Sequence, residues 1–587
     1  MRRNSRATAT ALSCVGLLAG MLIAATSTPA SAVTCTITGT SGPDTLVGGS
    51  GPDTICGLGG ADLIVGIGGQ DVLVGGPGND TLVGGSDDDV YDPGEGTDTI
   101  TENVAEGSDT VTFADATSDV TYTLGAHIEN LVGSDHNDTL TGNSSNNTID
   151  GGDGDDFVDG AAGVDGLAGG PGSDTLAVDD VSDQETGGSG IDTVQSSVSH
   201  TLGDGVENGI AVGSGGVNLT GNVLANTLTG NFASNAIDGG DGDDTIDGGL
   251  GADTLTGGPG ADTLSVDNAS DQATGDSGTD TVESSVSTSL GTGVENGVLL
   301  GSANINLTGN ALANTLTGNG GENTVTGAEG NDVIVGSGGT DQLVGGIGDD
   351  TYVPSSVDQT LAENADEGID TVSFADFGQP VTLSLGANIE NATGSAYADT
   401  LTGNTLANAI VGGGGNDTLD GAAGVDQIAG GAGDDSIAVD ATSDVVSGGS
   451  GTDTVRAAAS FVLGADVENG VLLGTGPFSL TGNDLPNVLS GNDAANVMSG
   501  GGGSDVLNGG AGVDKLVGGA GRDTISGDGG KDRIVGGAGA DTIRGGSGND
   551  VLTGNAGADR IFGGSGRDRL TDRQRKDKVQ SVEIGAK

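Results

Sequence analysis

Between Gly500 and Thr571 an aliphatic side chain returns every nine residues, at Leu507, Leu516, Ile525, Ile534, Ile543, Leu552, Ile561 and Leu570, with small and polar residues between. One inward aliphatic in a short extended run predicts a strand of about three residues. The units read GGGGSDVLN, GGAGVDKLV, GGAGRDTIS, GDGGKDRIV, GGAGADTIR, GGSGNDVLT, GNAGADRIF and GGSGRDRLT, with Gly always at positions one and four and Asp always at position six. Glycine accepts positive φ without a Cβ clash, so two glycines in the first four residues predict a tight turn whose carbonyls converge. Turn plus strand in nine residues makes two units one full coil.

The same pattern opens the chain, with aliphatics at Leu46, Ile55, Ile64, Leu73 and Leu82. From about Pro93 to Ser499 longer modules intervene. Each starts with D-T-V at Asp109, Asp192, Asp280, Asp370 or Asp453 and reaches an E-N dipeptide at Glu129, Glu207, Glu295, Glu390 or Glu468, at distances of 20, 15, 15, 20 and 15 residues. The order long, short, short, long, short points to duplication. Val120–Leu124 and Val381–Leu385 alternate with the period of a half-buried strand, so the modules are expected to continue the β architecture as wider coils. The resulting partition is 33–92, an N-terminal roll; 93–195, long; 196–283, short; 284–353, short; 354–456, long; 457–499, short; 500–571, a C-terminal roll; and 572–587, a basic tail.

Residues 1–32 have the form of a secretory signal peptide. Arg2, Arg3 and Arg6 precede a mostly apolar run from Ala11 to Ala25, and Ala30-Ser31-Ala32 is a small-residue cleavage site. Export to the extracellular space follows, with no transmembrane anchor, because the run is short and ends in Thr, Ser and Pro. The Arg2-Arg3 pair leaves the export route open.

Composition removes several alternatives. The chain has 119 glycines, no tryptophan, 2% aromatics and a formal net charge of −67. A large globular core is excluded, whereas a solenoid with a thin aliphatic core needs no aromatics. Such a charge repels nucleic acid and anionic membranes. Apart from the three leader arginines, every Lys or Arg lies at or after Lys515 except Arg456, so no basic side chain lies between residues 33 and 455. Internal salt bridges cannot neutralise that region, and bound cations are the remaining candidates. Without them, disorder is expected over much of the chain. Arg522, Lys531 and Arg567 stand beside repeat aspartates and are expected to replace cations in part.

Stacked coils would bring the position-six carboxylates to about 4.8 Å, the sheet spacing. Bare carboxylates at that distance repel by about 3–4 kcal/mol at an effective dielectric near 20. Glycine turns and aspartates offer only oxygen donors, and calcium takes six to eight of these at flexible geometry. In this motif the chain resembles the haemolysin-type, or RTX, calcium-binding repeat family, whose consensus is G-G-x-G-x-D-x-U-x. The resemblance implies an all-β, parallel β-roll or β-helix solenoid. It also implies multiple Ca2+ ions held between turns two units apart by backbone carbonyls and the repeat Asp. Carried over residue by residue, the metal ligands are Asp44, Asp53, Asp62, Asp71, Asp80 and Asp89 in the first roll; Asp138, Asp156, Asp165, Asp174, Asp192, Asp244, Asp253, Asp262 and Asp280, then Asp332, Asp341, Asp350, Asp399, Asp417, Asp426, Asp435 and Asp453 in the modules; and Asp505, Asp514, Asp523, Asp532, Asp541, Asp550, Asp559 and Asp568 in the last roll. The two rolls imply about four and about six complete sites.

After each E-N a variant unit places Asn at the Asp position, as at Asn226, Asn235, Asn314 and Asn408. Asparagine tolerates the left-handed turn but brings no charge. These coils are expected to stack through neutral amide ladders and to bind calcium weakly or not at all. Simple sequence drift is the plainer alternative.

Cys35 and Cys56 fall about one coil apart, and in an exported chain a disulfide is the expected reading, two free thiols the alternative. No H-E-x-x-H, G-x-S-x-G or phosphate-binding loop occurs, and His127, His136 and His200 are scattered, so no enzyme is expected. His127 reads as a tolerated turn residue. Two function classes remain. One is a secreted calcium-binding scaffold, an acidic rod of roughly 150 Å if every coil stacks. The other is an adhesin or surface-layer component that grips an extracellular glycan or another cell-surface partner. A repeat toxin or an accessory part of an exported enzyme is less well supported, since no membrane-active segment follows the leader. The basic tail is read as a cap on the last coil or a contact to another acidic molecule; the oligomeric state is left open.

Overall fold

The computed structural model describes residues 34–104, 106–365, 367–581 and 583–584. The signal peptide read at 1–32 lies outside them. All regular structure among the described residues is β, with no helix. Two compact units divide the chain, residues 1–174 with 182–184, and residues 175–181 with 185–587.

Both units are parallel β-solenoids. In the first, Thr45–Val47 pairs with Leu63–Gly68 and Leu63–Gly68 with Thr81–Ser86, in register Leu46↔Ile64↔Leu82. A second row runs Ile37–Thr38, Thr54–Cys56, Val72–Val74 and Val90–Asp92, in register Ile55↔Leu73↔Tyr91. Odd and even nonapeptides thus supply different sheets, and one coil takes eighteen residues. The central aliphatics of both rows, Ile55, Ile64, Leu73 and Leu82, are fully buried. In the second unit the same ladder runs through Leu507, Ile525, Ile543 and Ile561 on one side and Leu516, Ile534 and Leu552 on the other, again without exposure.

The modules keep this core and change the length of the coil. In the long ones the register advances by twenty residues twice, Val90↔Thr110↔Asn130 and Thr351↔Thr371↔Asn391. In the short ones it advances by fifteen and then nineteen, as in Thr193↔Asn208↔Thr227 and Thr281↔Asn296↔Thr315. The expected wider coils are therefore clearest in the long modules, at twenty residues, while each short module has a single nineteen-residue coil after a contracted one. In the short ones the coil that ends at E-N is narrower, because fifteen residues remove most of one turn. Gly209, Gly297 and Gly470 sit in these contracted coils, where a Cβ would lie 2.9–3.0 Å from a core leucine.

At the N-terminal end Cys35 and Cys56 are disulfide-bonded, with Cα atoms 5.9 Å apart, tying the lead-in of the first strand to the next coil. At the other end the basic tail adds a further coil. Lys578–Gln580 pairs with Arg560–Ser565, and Asp577 accepts from the Asp559 amide at 3.3 Å and from the Gln574 amide.

Candidate metal centres

Each centre begins with the turn. Positive φ falls at positions two and four of the unit, as at Gly510 (89°) and Gly512 (128°). In the last roll the two exceptions at position two are Asp528 (58°) and Asn555 (65°), types that tolerate the left-handed region, whereas Leu58 (75°), Ile67 (89°), Ala161 (60°), Ala328 (90°) and Ala422 (59°) hold the same positive φ at position two of other units. Position one, expected to serve the turn, has a different requirement: space. A Cβ on Gly509 would lie 2.7 Å from Asp514 Oδ2 and 3.1 Å from the Gly527 carbonyl oxygen of the next coil. The invariant first glycine therefore leaves open a small chamber in which oxygens of two coils converge.

The position-six aspartates line this chamber as ladders. The Asp505 amide donates to Asp523 Oδ1 at 2.9 Å, Asp523 to Asp541 at 3.0 Å and Asp541 to Asp559 at 3.0 Å. The facing ladder links Asp514, Asp532, Asp550 and Asp568. In the first unit Asp44, Asp62, Asp80 and Asp98 form one ladder and Asp53, Asp71, Asp89 and Asp109 the other. One carboxylate oxygen is thereby satisfied, while the other is buried without a hydrogen-bond partner at all eight repeats from Asp505 to Asp568. The same holds at Asp62, Asp71, Asp80, Asp89, Asp156, Asp244, Asp253, Asp262, Asp332, Asp350, Asp417, Asp426, Asp435 and Asp453. Asp165, Asp174 and Asp192 are equally buried.

Six of the expected ligands differ, because a local donor reaches the second oxygen. Thr40 does so at Asp44, Gly49 at Asp53, Ser134 at Asp138, Asp276 at Asp280, Gln359 at Asp341 and Ser395 at Asp399. These sit near ends of stacks or module boundaries.

Sequence reasoning left out several ladder members. Asp98, Asp183, Asp271 and Asp444 each stand eighteen residues after a repeat Asp and accept from its amide. More informative are the E-N dipeptides. Asp109, Asp192, Asp280, Asp370 and Asp453 each donate their amide to a Glu Oε2, of Glu129, Glu207, Glu295, Glu390 and Glu468, at 2.8–3.1 Å. The D-to-E distance is thus the length of the coil, and Glu takes the ladder position of the next Asp.

Burial sets the electrostatics. Loss of water pushes Asp505, Asp514, Asp532 and Asp541 up to about 6, against a weaker lowering by the amide each accepts from. Asp89 and Asp156 are pushed up to about 7 for the same reason, helped by neighbouring carboxylates. No Lys or Arg among the described residues makes an ion pair, whereas His200 and Glu185 pair at 2.8 Å. Arg522, Lys531 and Arg567 are exposed, so the expectation that they replace cations in part is not met. Position five points outward while the Asp oxygen points inward.

The Asn units are built differently from the expected amide ladder. Asn226 Nδ2 donates to the Val206 and Glu207 carbonyls of the preceding coil at 3.0 and 3.2 Å. Asn314 does the same to Val294 and Glu295. Position two is also Asn, and Asn222 Nδ2 reaches the Gly203 and Val206 carbonyls at 2.8 and 2.7 Å. No amide stacks on an amide one coil away, because the nearer partners are turn carbonyls. The side-chain N–H groups stand where a cation would otherwise gather those oxygens, and the drift alternative does not account for the paired Asn at positions two and six. His127 takes positive φ (69°), as do Gly205, Gly293 and Asn388 at equivalent turns.

Carbonyl oxygens, unpartnered buried carboxylate oxygens, a chamber kept open by glycine and no nitrogen or sulfur donor fit a hard cation that prefers many oxygens. The family described as the RTX calcium-binding nonapeptide repeat (4 copies) matches residues 38–73, 65–100, 132–167, 220–255, 250–282, 308–352, 393–428, 421–455, 481–516, 508–543 and 535–570, together more than half of the chain. No curated protein matches the chain.

Proposed function

The chain belongs to the RTX calcium-binding nonapeptide repeat family, and on that premise we propose that it is a secreted calcium-binding scaffold whose β-solenoids form when extracellular calcium fills the turns. The observation that carries this is the repeated Asp Oδ2, buried without a partner beside an obligatory glycine. An uncompensated buried carboxylate is costly, and a row of them opposes folding until a cation enters. With no basic side chain between residues 33 and 455, calcium is the neutralising group this reading requires there. Ligands that exist as a set only in the folded coil make the free energy of binding part of the free energy of folding. Export in the unfolded state and assembly outside the cell follow from this coupling, and the role is structural rather than catalytic.

Calcium titration of chelator-treated full-length protein, followed by circular dichroism with magnesium as control, tests the proposal. The expected result is a cooperative gain of β signal with calcium alone, in the micromolar to millimolar range of extracellular modules. A β signal already complete in chelator and indifferent to calcium would overturn it and move cation-independent adhesion ahead.

A further inference from the structure

The two long modules carry an arrangement absent from the nonapeptide. In each, a ladder Asp is followed thirteen residues later by Glu and seven after that by Asp: Asp89, Glu102, Asp109 and Asp350, Glu363, Asp370. In both sets, one carboxylate oxygen from each of the three residues lies within 4.8 Å of the other two. Glu102 is only 8% exposed, and neither of its oxygens has a hydrogen-bond partner; Asp89 Oδ2 has none either. In the second set Glu363 Oε1 accepts from the Tyr352 hydroxyl, while Glu363 Oε2 and Asp350 Oδ2 are buried without partners.

A tyrosine hydroxyl marks both places. Tyr91 accepts from the Gly84 amide at 2.9 Å and Tyr352 from the Gly345 amide at 2.7 Å. A Cβ on Gly345 would run into Glu363 Oε1, Asp350 Oδ2 and the Tyr352 oxygen together, and one on Gly84 into Asp89 Oδ2 and the Tyr91 oxygen. The glycines thus preserve a chamber into which two or three side-chain oxygens point. In the nonapeptide turns a single free Asp oxygen faces that space.

We propose that Asp89–Glu102–Asp109 and Asp350–Glu363–Asp370 are two cation sites of a separate type, each holding one calcium-class ion through three carboxylates beside a tyrosine hydroxyl. Oxygens no more than 4.8 Å apart can share a centre at about 2.4 Å, a calcium–oxygen bond length. A cation would satisfy at once the oxygens of Asp89 and Glu102, and of Asp350 and Glu363, that find no donor, with Asp109 and Asp370 completing the sets. The inference does not rest on the nonapeptide turns loading calcium.

Terbium(III), another hard, oxygen-seeking cation, is the probe, added alone to the chelator-treated full-length protein. The chain has no tryptophan and four tyrosines, so tyrosine-sensitised emission selects ions close to a phenol ring. The Glu102→Gln/Glu363→Gln variant is expected to lose about half or more of the sensitised emission, and two bound ions by elemental analysis, relative to wild type. The Tyr91→Phe/Tyr352→Phe variant is expected to lose the emission and keep the ions. Unchanged emission and stoichiometry in the Gln variant would overturn the proposal. Should that variant not fold, undiminished emission from the Phe variant would overturn it equally. Wild-type protein whose β signal ignores calcium yet sensitises terbium through Tyr91 and Tyr352 would overturn the reading of the turns and support this one.

Discussion

At the scale of single residues, the first glycine and the sixth residue of each unit act as one device. Gly536→Ala would place a Cβ 2.5 Å from Asp541 Oδ2 and 2.9 Å from the Gly554 carbonyl, inside the chamber. It is expected to cost about 1–3 kcal/mol in calcium, measured by denaturant unfolding. Gly529→Ala meets only Ser547 Oγ at 3.5 Å and is expected to fall within about 0.5 kcal/mol of wild type. The sixth residue can be tested in both forms. Asp253→Asn keeps the acceptor for the Asn235 amide and removes a buried charge, so thermal melts should show a higher Tm in chelator and a smaller calcium-induced rise. Asn314→Ala strips donors from the Val294 and Glu295 carbonyls and an acceptor from the Asn310 amide. Its cost of about 1–3 kcal/mol should be the same in saturating calcium and in chelator at about pH 4, where protonated ladders hold the coils together. A calcium-dependent cost at Asn314 would contradict the assignment of the Asn coils as cation-free.

At the scale of the coil, the ladders make protons and calcium alternatives. Asp505, Asp514, Asp532 and Asp541 have folded-state pKa values of about 6, above the ordinary 3.8. A group whose pKa is higher when folded contributes stability that is fully present below 3.8 and lost as pH rises through about 6. In chelator, Tm is therefore expected to fall as pH rises from about 4 to about 7. In saturating calcium the dependence should reverse at the acid end, since the ligands must be deprotonated to bind. Circular-dichroism melts across this range give the answer, and a flat profile in chelator would remove the buried carboxylates from the account. How much of the coil was legible follows the same physics. Gly, Asp and one aliphatic recur every nine residues because each has a fixed task, so the eighteen-residue coil, the core and the Asp rows can be read from spacing alone. The E-N dipeptides kept the same information in a different form: the counts of 20 and 15 between Asp109 and Glu129, or Asp192 and Glu207, are the coil lengths themselves. The longer glutamate concealed its equivalence to the ladder Asp. The Asn units were legible as uncharged, but the carbonyls their amides reach depend on turn geometry that no spacing encodes. The same is true of Ser134 and Ser395, which quench Asp138 and Asp399 from four residues away.

Across the whole molecule, charge alone would give a different account of calcium. A chain of net charge −67 repels itself, and any added salt relieves that repulsion. The two explanations separate by where the charges lie. Exposed carboxylates are screened by monovalent salt, with a Debye length near 3 Å at about 1 M. The Oδ2 atoms from Asp505 to Asp568 are buried beside glycine Cα atoms, so a screening atmosphere in the solvent does not reach them. They need a proton or an ion within bonding distance. Full-length protein in chelator at neutral pH is thus expected to recover no more than about a tenth of the calcium-induced β signal in about 1 M potassium chloride. Acidification in chelator should recover substantially more, and calcium should restore the signal at either ionic strength. The spread of unpartnered oxygens from Asp62 to Asp568 predicts that these responses extend through both units, including the arginine-bearing end, because no arginine or lysine among the described residues forms an ion pair with a ladder carboxylate. Full β signal in potassium chloride alone would mean that calcium serves only to discharge the surface, and protection from hydrogen exchange in chelator confined to the last repeats would mean that their basic residues neutralise them after all.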